Sequence, residues 1–317
     1  MLTYLIPHYN RPYFLDIHVK LIRKYAPKGT RIIISDDGSQ PEVVSLISRM
    51  DIDDGFFQKR NQNSYKHGTY SDTFAGSLAL CKTEFLFLGE DDFFFSPNMI
   101  LEDNTESKGF VPERDQPITN TYVPTAYNVF EEAVNLLRTR PEVINVQLAR
   151  DHNRVPVVGE LSTANMNWMY LDHSKKTACY YCNWPSMIRL SDFRRVSECI
   201  TTGISVWTLE ERLSKKASQC FGDGNWAVVP HHKHYYHVGV AFSHKLNSFR
   251  DAKNRMKDSM TLQSNFFTKM AFNDIESFNV FMLEAAIKGE FFIDFNELIE
   301  KGIHSAFASA FGRMSGI

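Results

Sequence analysis

Three adjacent acidic residues, Glu90, Asp91 and Asp92, stand between an apolar run and three phenylalanines in the segment FLFLGEDDFFFSP, residues 85–97. Neighbouring carboxylates repel one another and unpaired charge is costly to bury, so such acids lie at a strand end or bind a cation. Carboxylate oxygens are ligands that hard divalent cations prefer. The triplet therefore indicates either a metal site or the capped, solvated end of a strand.

Two more polar clusters follow apolar runs, PHYNR at residues 7–11 and DDGS at residues 36–39. The apolar runs before the three clusters are short and lack polar faces, which predicts buried strands. These strands cover residues 3–7, 31–35 and 84–88. Apolar residues at helical spacing, with proline near the helix ends, predict helices between them. These helices cover residues 13–25, 41–50 and 68–80.

The alternation of buried strands and helices predicts an α/β fold with a mostly parallel, Rossmann-like sheet sandwiched by helices. Parallel strands end at one rim, and ligands of open α/β sheets bind beyond that rim. We therefore expect the three polar clusters to meet there. Further along, the pattern predicts a loop at 103–124, helices at 126–140 and 205–216, and strands at 143–148, 186–190 and 227–230.

Composition sets broader limits on the 317-residue chain. We expect a domain at 1–245 and a C-terminal helical extension at 246–317 packed on it. The net charge of −2 gives no overall attraction to nucleic acid or acidic lipid. We expect the five scattered cysteines to be reduced and mostly buried. Without a signal peptide or a run of ~20 apolar residues, we expect a soluble cytoplasmic protein, in the host cytoplasm if viral.

Two nucleotide-binding classes are disfavoured by missing motifs. No G-x-G-x-x-G follows the first predicted strand, and no Walker sequence is present. A dinucleotide-dependent dehydrogenase and a P-loop enzyme are therefore poor interpretations.

Taken in order, LIPHYNRP, IIISDDGSQ and FLFLGEDDFFFSP resemble the successive signatures of GT-A fold, family 2-like glycosyltransferases. The acidic triplet is similar to their D-x-D motif, including a proline five positions after the last acid, and to the E-D-D of GlcNAc transferases that build N-glycans. A weaker similarity continues through NWPSMIRLSDFRRV, WTLEERL and YYHVG, so it covers roughly residues 1–240. The resemblance implies a GT-A fold, a nucleotide-sugar donor and bound Mn²⁺ or Mg²⁺.

The resemblance also implies roles for individual residues. Asp92 would bind the metal, Asp91 would contact the ribose, and Glu90 would orient a neighbour or a metal-bound water. At the end of the second strand an acid, Asp37 in preference to Asp36, would accept the ring N–H of uracil or a similar base. The nucleotide-sugar-binding set is Pro7, His8, Tyr9, Asn10, Arg11, Asp36, Asp37, Lys66, Glu90 and Asp91.

Within that set, residues 7–10 are expected to line the base pocket through backbone groups and the Tyr9 ring. Arg11 is expected to hold the rim or the nucleotide. Lys66, next to His67, either approaches the base or phosphates or lies in a solvated loop.

An inverting transfer needs a general base for the acceptor hydroxyl, and in similar enzymes this is an acid at the start of a helix. WTLEERLSKK is the matching segment, with Glu210 and Glu211 as candidates. Helical spacing prevents both from facing a cleft equally. We favour Glu210, because Glu211 precedes Lys215 by four residues and can pair with it. The alternative is two solvated helix acids.

Four histidines, His231, His232, His234 and His237, occur in PHHKHYYHVG. A zinc site is disfavoured because the spacing is wrong and no cysteines lie nearby. The resemblance instead implies that His237 is a further ligand of the donor-site metal.

The sequence leaves the substrates open. We expect a UDP-sugar by default and a glycan as acceptor. A composition rich in Phe, Asn, Lys and Met resembles that of phage proteins, so hydroxymethylcytosine in phage DNA is a second candidate acceptor. The basic segment at 244–257 could follow a phosphate backbone or form a solvated helix face. Two other classes stay open: a nucleotidyltransferase of related topology, although its Gly-rich basic loop is missing, and a catalytically silent nucleotide-binding module.

Overall fold

The computed structural model describes residues 1–58, 70–91, 93–95, 99–102, 121–148, 157–172, 185–204, 206–222, 226–231, 234–237 and 296. The strands are β1 (Leu2–His8), β2 (Arg31–Asp36), β3 (Asp54–Phe57), β4 (Phe85–Leu88), β5 (Phe93–Phe95), β6 (Met99–Glu102), β7 (Thr121–Pro124), β8 (Asn145–Gln147), β9 (Val157–Ser162), β10 (Asn167–Leu171), β11 (Ser186–Arg189), β12 (Ala227–Pro230) and β13 (Tyr235–His237). The helices are α1 (Pro12–Tyr25), α2 (Pro41–Ile47), α3 (Tyr70–Leu80), α4 (Val129–Thr139), α5 (Leu190–Ser197) and α6 (Val206–Phe221).

Nine of these strands form one sheet, in the order β3-β2-β1-β4-β11-β8-β12-β10-β9. The pairings among β3, β2, β1 and β4 are all parallel. Beyond β4 the sheet is mixed, since β11 runs antiparallel to both β4 and β8, and β12 runs parallel to β8. The predicted α/β class is confirmed, and the sheet is parallel where the three sequence motifs lie.

Apolar cores cover both faces of the sheet, which is why its central strands are apolar along their whole length. Alternate residues of β1 enter opposite cores, with Tyr4 and Ile6 on one face and Leu5 on the other. The first core packs α1, α2 and α4 against the sheet, and the second packs α3, α5 and α6. This two-sided burial fixes the direction in which the strand ends present their polar residues.

Local sequence sets where the helices begin and end. Both α1 and α2 begin with proline, whose fixed φ suits the first helical position. Arg23 and Lys24 lie in the last turn of α1, where cations complement the helix dipole. At the start of α4 the Asn128 side chain accepts the backbone N–H of Phe130 at 2.9 Å, a helix N-cap.

The predicted elements of the first ninety residues correspond to β1, α1, β2, α2, α3 and β4, although α2 ends at Ile47, before the predicted residue 50. Strands β3, β5, β6, β7, β9, β10 and β13 and helix α5 were not predicted. The loop predicted at 103–124 is wrong at its C-terminal end, because β7 pairs there with β6. The rest of that loop, and the extension at 246–317 apart from residue 296, lie outside the described residues. The domain boundary at residue 245 stays a prediction.

Two further predictions concern the thiols and the membrane. Among the described cysteines, Cys81 is buried, and burial raises the pKa of its thiol to about 12. Cys199 and Cys220 are half-buried, so the expected burial holds for one of these three. Cys179 and Cys182 lie outside the described residues. In the part of the chain that the structure describes, no helix has the length and apolar character needed to span a membrane.

Candidate functional site

The three polar clusters meet at one rim, as the sequence predicts, because β1 lies between β2 and β4 in the sheet. Residues that follow β1 form hydrogen bonds to both neighbouring clusters. The backbone N–H of Asp37, after β2, donates to the carbonyl of His8, the last residue of β1, at 2.9 Å.

Asn10 joins the loop after β1 to the loop after β2. Its backbone N–H donates to the Ser39 hydroxyl at 2.9 Å, and its side-chain oxygen accepts the backbone N–H of Gln40 at 2.9 Å. Asn10 has a φ of 49°, in the left-handed region that asparagine tolerates better than most residues. The two loops are therefore fixed to each other.

Asp91 joins the acidic triplet to the loop after β1. One of its carboxylate oxygens lies 2.7 Å from Nδ1 of His8, and the other accepts a guanidinium N–H of Arg11 at 2.5 Å. A carboxylate only accepts hydrogen bonds, so Nδ1 of His8 carries the hydrogen. The side chains of His8 and Asp91 have no exposed surface, whereas that of Arg11 is 15% exposed.

The carboxylate of Asp36 is part of the turn after β2. It accepts the backbone N–H groups of Gly38 at 3.1 Å and Ser39 at 2.8 Å, and the Ser39 hydroxyl at 2.5 Å. Gly38 has a φ of 90°, which favours glycine at this position. Asp36 is fully buried, so the nucleotide contact expected of it stays a prediction that this geometry does not support.

Asp37 has a different environment. Its side chain accepts the Thr73 hydroxyl at 3.2 Å, and the Gln58 side-chain amide lies 3.5 Å from the same hydroxyl. Burial raises the pKa of the half-buried Tyr9 phenol, and the nearby negative charge of Asp37 raises it further. Tyr9 therefore stays protonated beside Asp37. Asp37 is itself buried, with 4% of its surface exposed, and the base contact predicted for it stays a prediction.

The exposure of the loop after β1 decides which of its residues a ligand can reach. Pro7 and His8 are buried, whereas Tyr9, Asn10 and Arg11 are partly exposed at the rim. Of the acidic triplet, Glu90 is partly exposed and Asp91 is buried. Asp92 and Lys66 lie outside the described residues, so their predicted roles stay predictions.

His237 is brought next to the acidic triplet by strand pairing. Strands β5 and β13 are antiparallel, and their register places His237 opposite Phe93, the residue that follows Asp92 in the chain. The backbone of His237, which the resemblance implies as a second metal ligand, therefore lies across the strand pair from the chain neighbour of Asp92.

Carboxylate and imidazole groups are a donor set that suits Mn²⁺, and carboxylate with water suits Mg²⁺. Among the described side chains, no group of three His, Cys, Asp or Glu is close enough together to hold a metal ion. Asp92 and the side chain of His237 are not among those described side chains, so the metal site predicted there stays a prediction.

The two candidate bases in α6 differ in environment. Glu210 is 7% exposed and Glu211 is exposed, so the alternative of two solvated acids is wrong for Glu210. Glu211 and Lys215, both described, do not form the ion pair expected of them. The backbone N–H of Ile204, just before α6, donates to Ser71 in the first turn of α3 at 3.2 Å. Since Thr73 is in the same turn, α6 begins close to the helix turn that contacts Asp37.

The histidine-rich segment does not form a cluster in its described part. His231 is exposed, whereas His234 is buried and meets the Tyr127 ring edge-on, with ring centroids 5.8 Å apart. His232 lies outside the described residues. The rejection of a zinc site here stays a prediction.

No local sequence pattern indicated the two residues that lie near Asp37. Thr73 lies in the middle of a predicted helix and Gln58 follows an unpredicted strand, so nothing in either local pattern indicates that they meet Asp37. The hydrogen bonds of His8 and Arg11 to Asp91 were equally unpredictable from the sequence, because Asp91 is some eighty residues away in the chain.

No protein-family model and no curated protein matches the chain. Solved structures with a similar fold include S. aureus TarS, at 9% identity and a TM-score of 0.45, covering 98% of this chain and 54% of TarS. The chain thus spans about half the length of TarS. Mannosyltransferase PcManGT from Pyrobaculum calidifontis, in complex with GDP-Man and Mn²⁺, is 11% identical with a TM-score of 0.40, covering 99% of this chain and 86% of that one.

Glucosyl-3-phosphoglycerate synthase from Mycobacterium tuberculosis, in complex with Mn²⁺, UDP and glucosyl-3-phosphoglycerate, is 9% identical with a TM-score of 0.45. The match covers 86% of this chain and 81% of that one.

Proposed function

We propose that this chain is a metal-dependent glycosyltransferase that moves a sugar from a nucleotide-sugar donor to an acceptor hydroxyl, with inversion. The donor is a UDP-sugar by default. The observation that carries the proposal is that Asp37, after β2, and Asp91 of the acidic triplet, after β4, are both hydrogen-bonded to His8 at the end of β1, and Asp91 also to Arg11 in the loop that follows. On this proposal Asp37 would bind the base and the acidic triplet would bind the metal.

The base of the donor would bind beside Asp37 and Tyr9. A carboxylate accepts hydrogen bonds only, so Asp37 suits the imide N–H of a uracil ring. The Thr73 hydroxyl occupies part of its acceptor capacity and fixes its orientation. The half-buried Tyr9 ring offers a surface on which a base can stack.

The diphosphate of the donor would bind at the acidic triplet. Asp92 and His237 would hold the ion, and Glu90 would orient a water or a neighbouring group. A bound Mn²⁺ or Mg²⁺ supplies Lewis-acid stabilisation of the negative charge on the departing nucleoside diphosphate. Lys66 would add positive charge near the phosphates.

The acceptor hydroxyl needs a residue that takes its proton. Glu210 is our choice, with Glu211 as the alternative, because Glu210 is shielded from bulk water whereas Glu211 faces it. The acceptor is a glycan or, alternatively, hydroxymethylcytosine in phage DNA. A cytoplasmic location remains part of the proposal.

A donor screen tests this function. Purified protein is incubated with UDP-, GDP- and other nucleotide sugars plus Mn²⁺ or Mg²⁺, and release of the nucleoside diphosphate is measured with and without EDTA. Candidate acceptors, including oligosaccharides and hydroxymethylcytosine DNA, are then examined for the mass of an added sugar. We expect metal-dependent release from one class of donor and a mass increase on one class of acceptor.

Two variants make the screen specific. Asp92→Ala should remain folded and lose turnover, whereas Asp16→Ala, which removes an exposed ion pair with Lys20, should retain it. Absence of turnover with every nucleotide sugar would refute the proposal. Binding of a nucleoside triphosphate in preference to a diphosphate would favour a nucleotidyltransferase instead.

A further inference from the structure

We propose that Asp91 is a positioning residue that clamps the acidic triplet to the loop after β1, and that it does not contact the ribose of the donor. This inference rests on the proposed function and reassigns one role within it. Its basis is that both oxygens of Asp91 bind protein groups while the side chain has no exposed surface.

The partners of Asp91 are those that a buried carboxylate requires. Arg11 supplies a charge of opposite sign at 2.5 Å, and His8 supplies an N–H at 2.7 Å. Without such partners the burial of a charge is strongly unfavourable, and removal of one partner leaves the other buried and unpaired. His8 is itself buried, so it is also out of reach of a ligand.

The clamp connects two rigid elements. Arg11 is the residue before α1, and its carbonyl accepts the backbone N–H groups of Phe14 and Leu15 at 3.1 and 3.2 Å. At the other end, Asp91 lies in a turn in which the Phe93 N–H donates to the Glu90 carbonyl at 3.3 Å. Fixing Asp91 inside that turn restrains the turn between Glu90 and Phe93.

This arrangement assigns separate tasks to adjacent acids. Asp91 would hold the loop in place from inside the protein, and Glu90 and Asp92 would contact the metal and the donor. Residues that orient metal ligands from behind typically affect metal affinity by about 10–100-fold when removed. Arg11 and His8 would therefore influence the metal without touching it.

Two thermodynamic cycles in the 317-residue chain test the inference, one between two substitutions and one between a substitution and a changed ligand. The first combines Asp91→Asn with Arg11→Ala and measures the Mn²⁺ concentration that gives half-maximal UDP binding, together with unfolding in urea. We expect each single change to raise that Mn²⁺ concentration about 10–100-fold. The double variant should be little worse than either single one, because both remove the same clamp.

The second cycle combines Asp91→Asn with 2′-deoxy-UDP and 3′-deoxy-UDP. If Asp91 is a positioning residue, loss of a ribose hydroxyl should weaken nucleotide binding by the same factor in the wild type and in Asp91→Asn. A ribose contact predicts that the variant is insensitive to the missing hydroxyl. That second result, or an Arg11→Ala variant with unchanged Mn²⁺ dependence, would overturn the inference.

Controls separate the clamp from general stability and from the proposed function. Arg23→Ala removes an arginine that pairs with Asp51 at 3.0 Å and Asp53 at 2.9 Å on a different part of the surface, and should leave the Mn²⁺ dependence unchanged. Arg11→Lys keeps a cationic donor and should restore part of the affinity, which also covers the case that Arg11→Ala does not fold. If the wild-type protein binds no nucleoside diphosphate in the presence of Mn²⁺ or Mg²⁺, the proposed function fails, whereas the coupling of Asp91 and Arg11 in urea unfolding still reports whether the clamp exists.

Discussion

Asp36 and Asp37 are neighbours in the chain, yet their carboxylates have different partners. Asp36 binds two backbone N–H groups and a hydroxyl within its own turn, whereas Asp37 binds the Thr73 hydroxyl of another element. The same pair of residue types thus combines one acid held within its own turn with one that contacts a second element, and we propose that the second acid binds the ligand. The contrast can be tested, because substitution of Asp36 should affect stability whereas substitution of Asp37 should affect UDP binding.

We expect Asp37→Asn to weaken UDP binding by about 1.5–3 kcal/mol, the usual range for a hydrogen bond to a charged group, measured by calorimetry. Its unfolding free energy should stay close to that of the wild type, since the asparagine carbonyl still accepts the Thr73 hydroxyl. Asp36→Ala should instead lower the unfolding free energy, by about 1–3 kcal/mol for each buried donor left without an acceptor. Equal loss of stability in both variants would contradict this division of roles.

The two glutamates of α6 allow a similar comparison. Glu210→Gln keeps the shape of the side chain but removes the proton acceptor, so we expect sugar transfer to slow by about 10²–10⁴-fold while UDP binding is retained. Glu211→Gln, at an exposed position, is the matched control and should transfer at nearly the wild-type rate. If the slow variant is Glu211→Gln, the two roles are exchanged.

At the scale of elements, the close approach of β1 and β4 restricts the residue that follows β4. A Cβ atom at Gly89 would lie 2.8 Å from the Tyr4 hydroxyl and 3.1 Å from the Phe87 ring. The Tyr4 hydroxyl is itself 2.9 Å from Nε2 of His18 in α1, so it cannot move away without losing that contact. Gly89 precedes the acidic triplet directly, and strain there would be passed to the site.

We therefore expect Gly89→Ala to lower the unfolding free energy by about 1–3 kcal/mol, the usual cost of overpacking, and to weaken Mn²⁺-dependent UDP binding. Gly159→Ala is the control, because the nearest atom to a Cβ there is a Tyr170 ring carbon at 3.8 Å. Urea unfolding and calorimetry of both variants make the comparison. A Gly89→Ala variant as stable as Gly159→Ala would show that Tyr4 gives way easily.

The elements also show where sequence patterns are sufficient. β1, β2 and β4 are apolar throughout because both faces are buried, and such runs are visible in the sequence. β3 has only four residues, DGFF, at one edge of the sheet, and β9 alternates exposed residues at the other edge. Edge strands bury less surface, so their sequences contain a weaker signal.

At the scale of the whole molecule, the prediction that three strand ends converge follows from topology, because parallel strands end at one rim. What the sequence could not give is which atoms bind one another across that rim. The pairs of Asp91 with Arg11 and of Asp37 with Thr73 join residues far apart in the chain, and many acids and donors could have been paired in other ways. Side-chain roles within the acidic triplet depended on those pairings.

Ligand binding should be visible in the stability of the whole chain. A ligand that binds only the folded state at about 100 times its dissociation constant adds about 2.7 kcal/mol to the unfolding free energy. We expect UDP with Mn²⁺ to raise the melting temperature, and UDP with EDTA to raise it much less. Equal stabilisation in the two conditions would show that the nucleotide binds without the ion.

The pairing of β5 with β13 has a consequence for how the protein is made. Phe93 leaves the ribosome well over a hundred residues before His237 does, so a growing chain completes β1, β2 and β4 while β5 still lacks its partner. During that interval the nascent protein can already assemble the Asp37 side of its rim, but the strand that brings His237 alongside has yet to be synthesised. On the proposed role of His237, metal-dependent chemistry would therefore be acquired only late in translation, after β1, β2 and β4 have been synthesised.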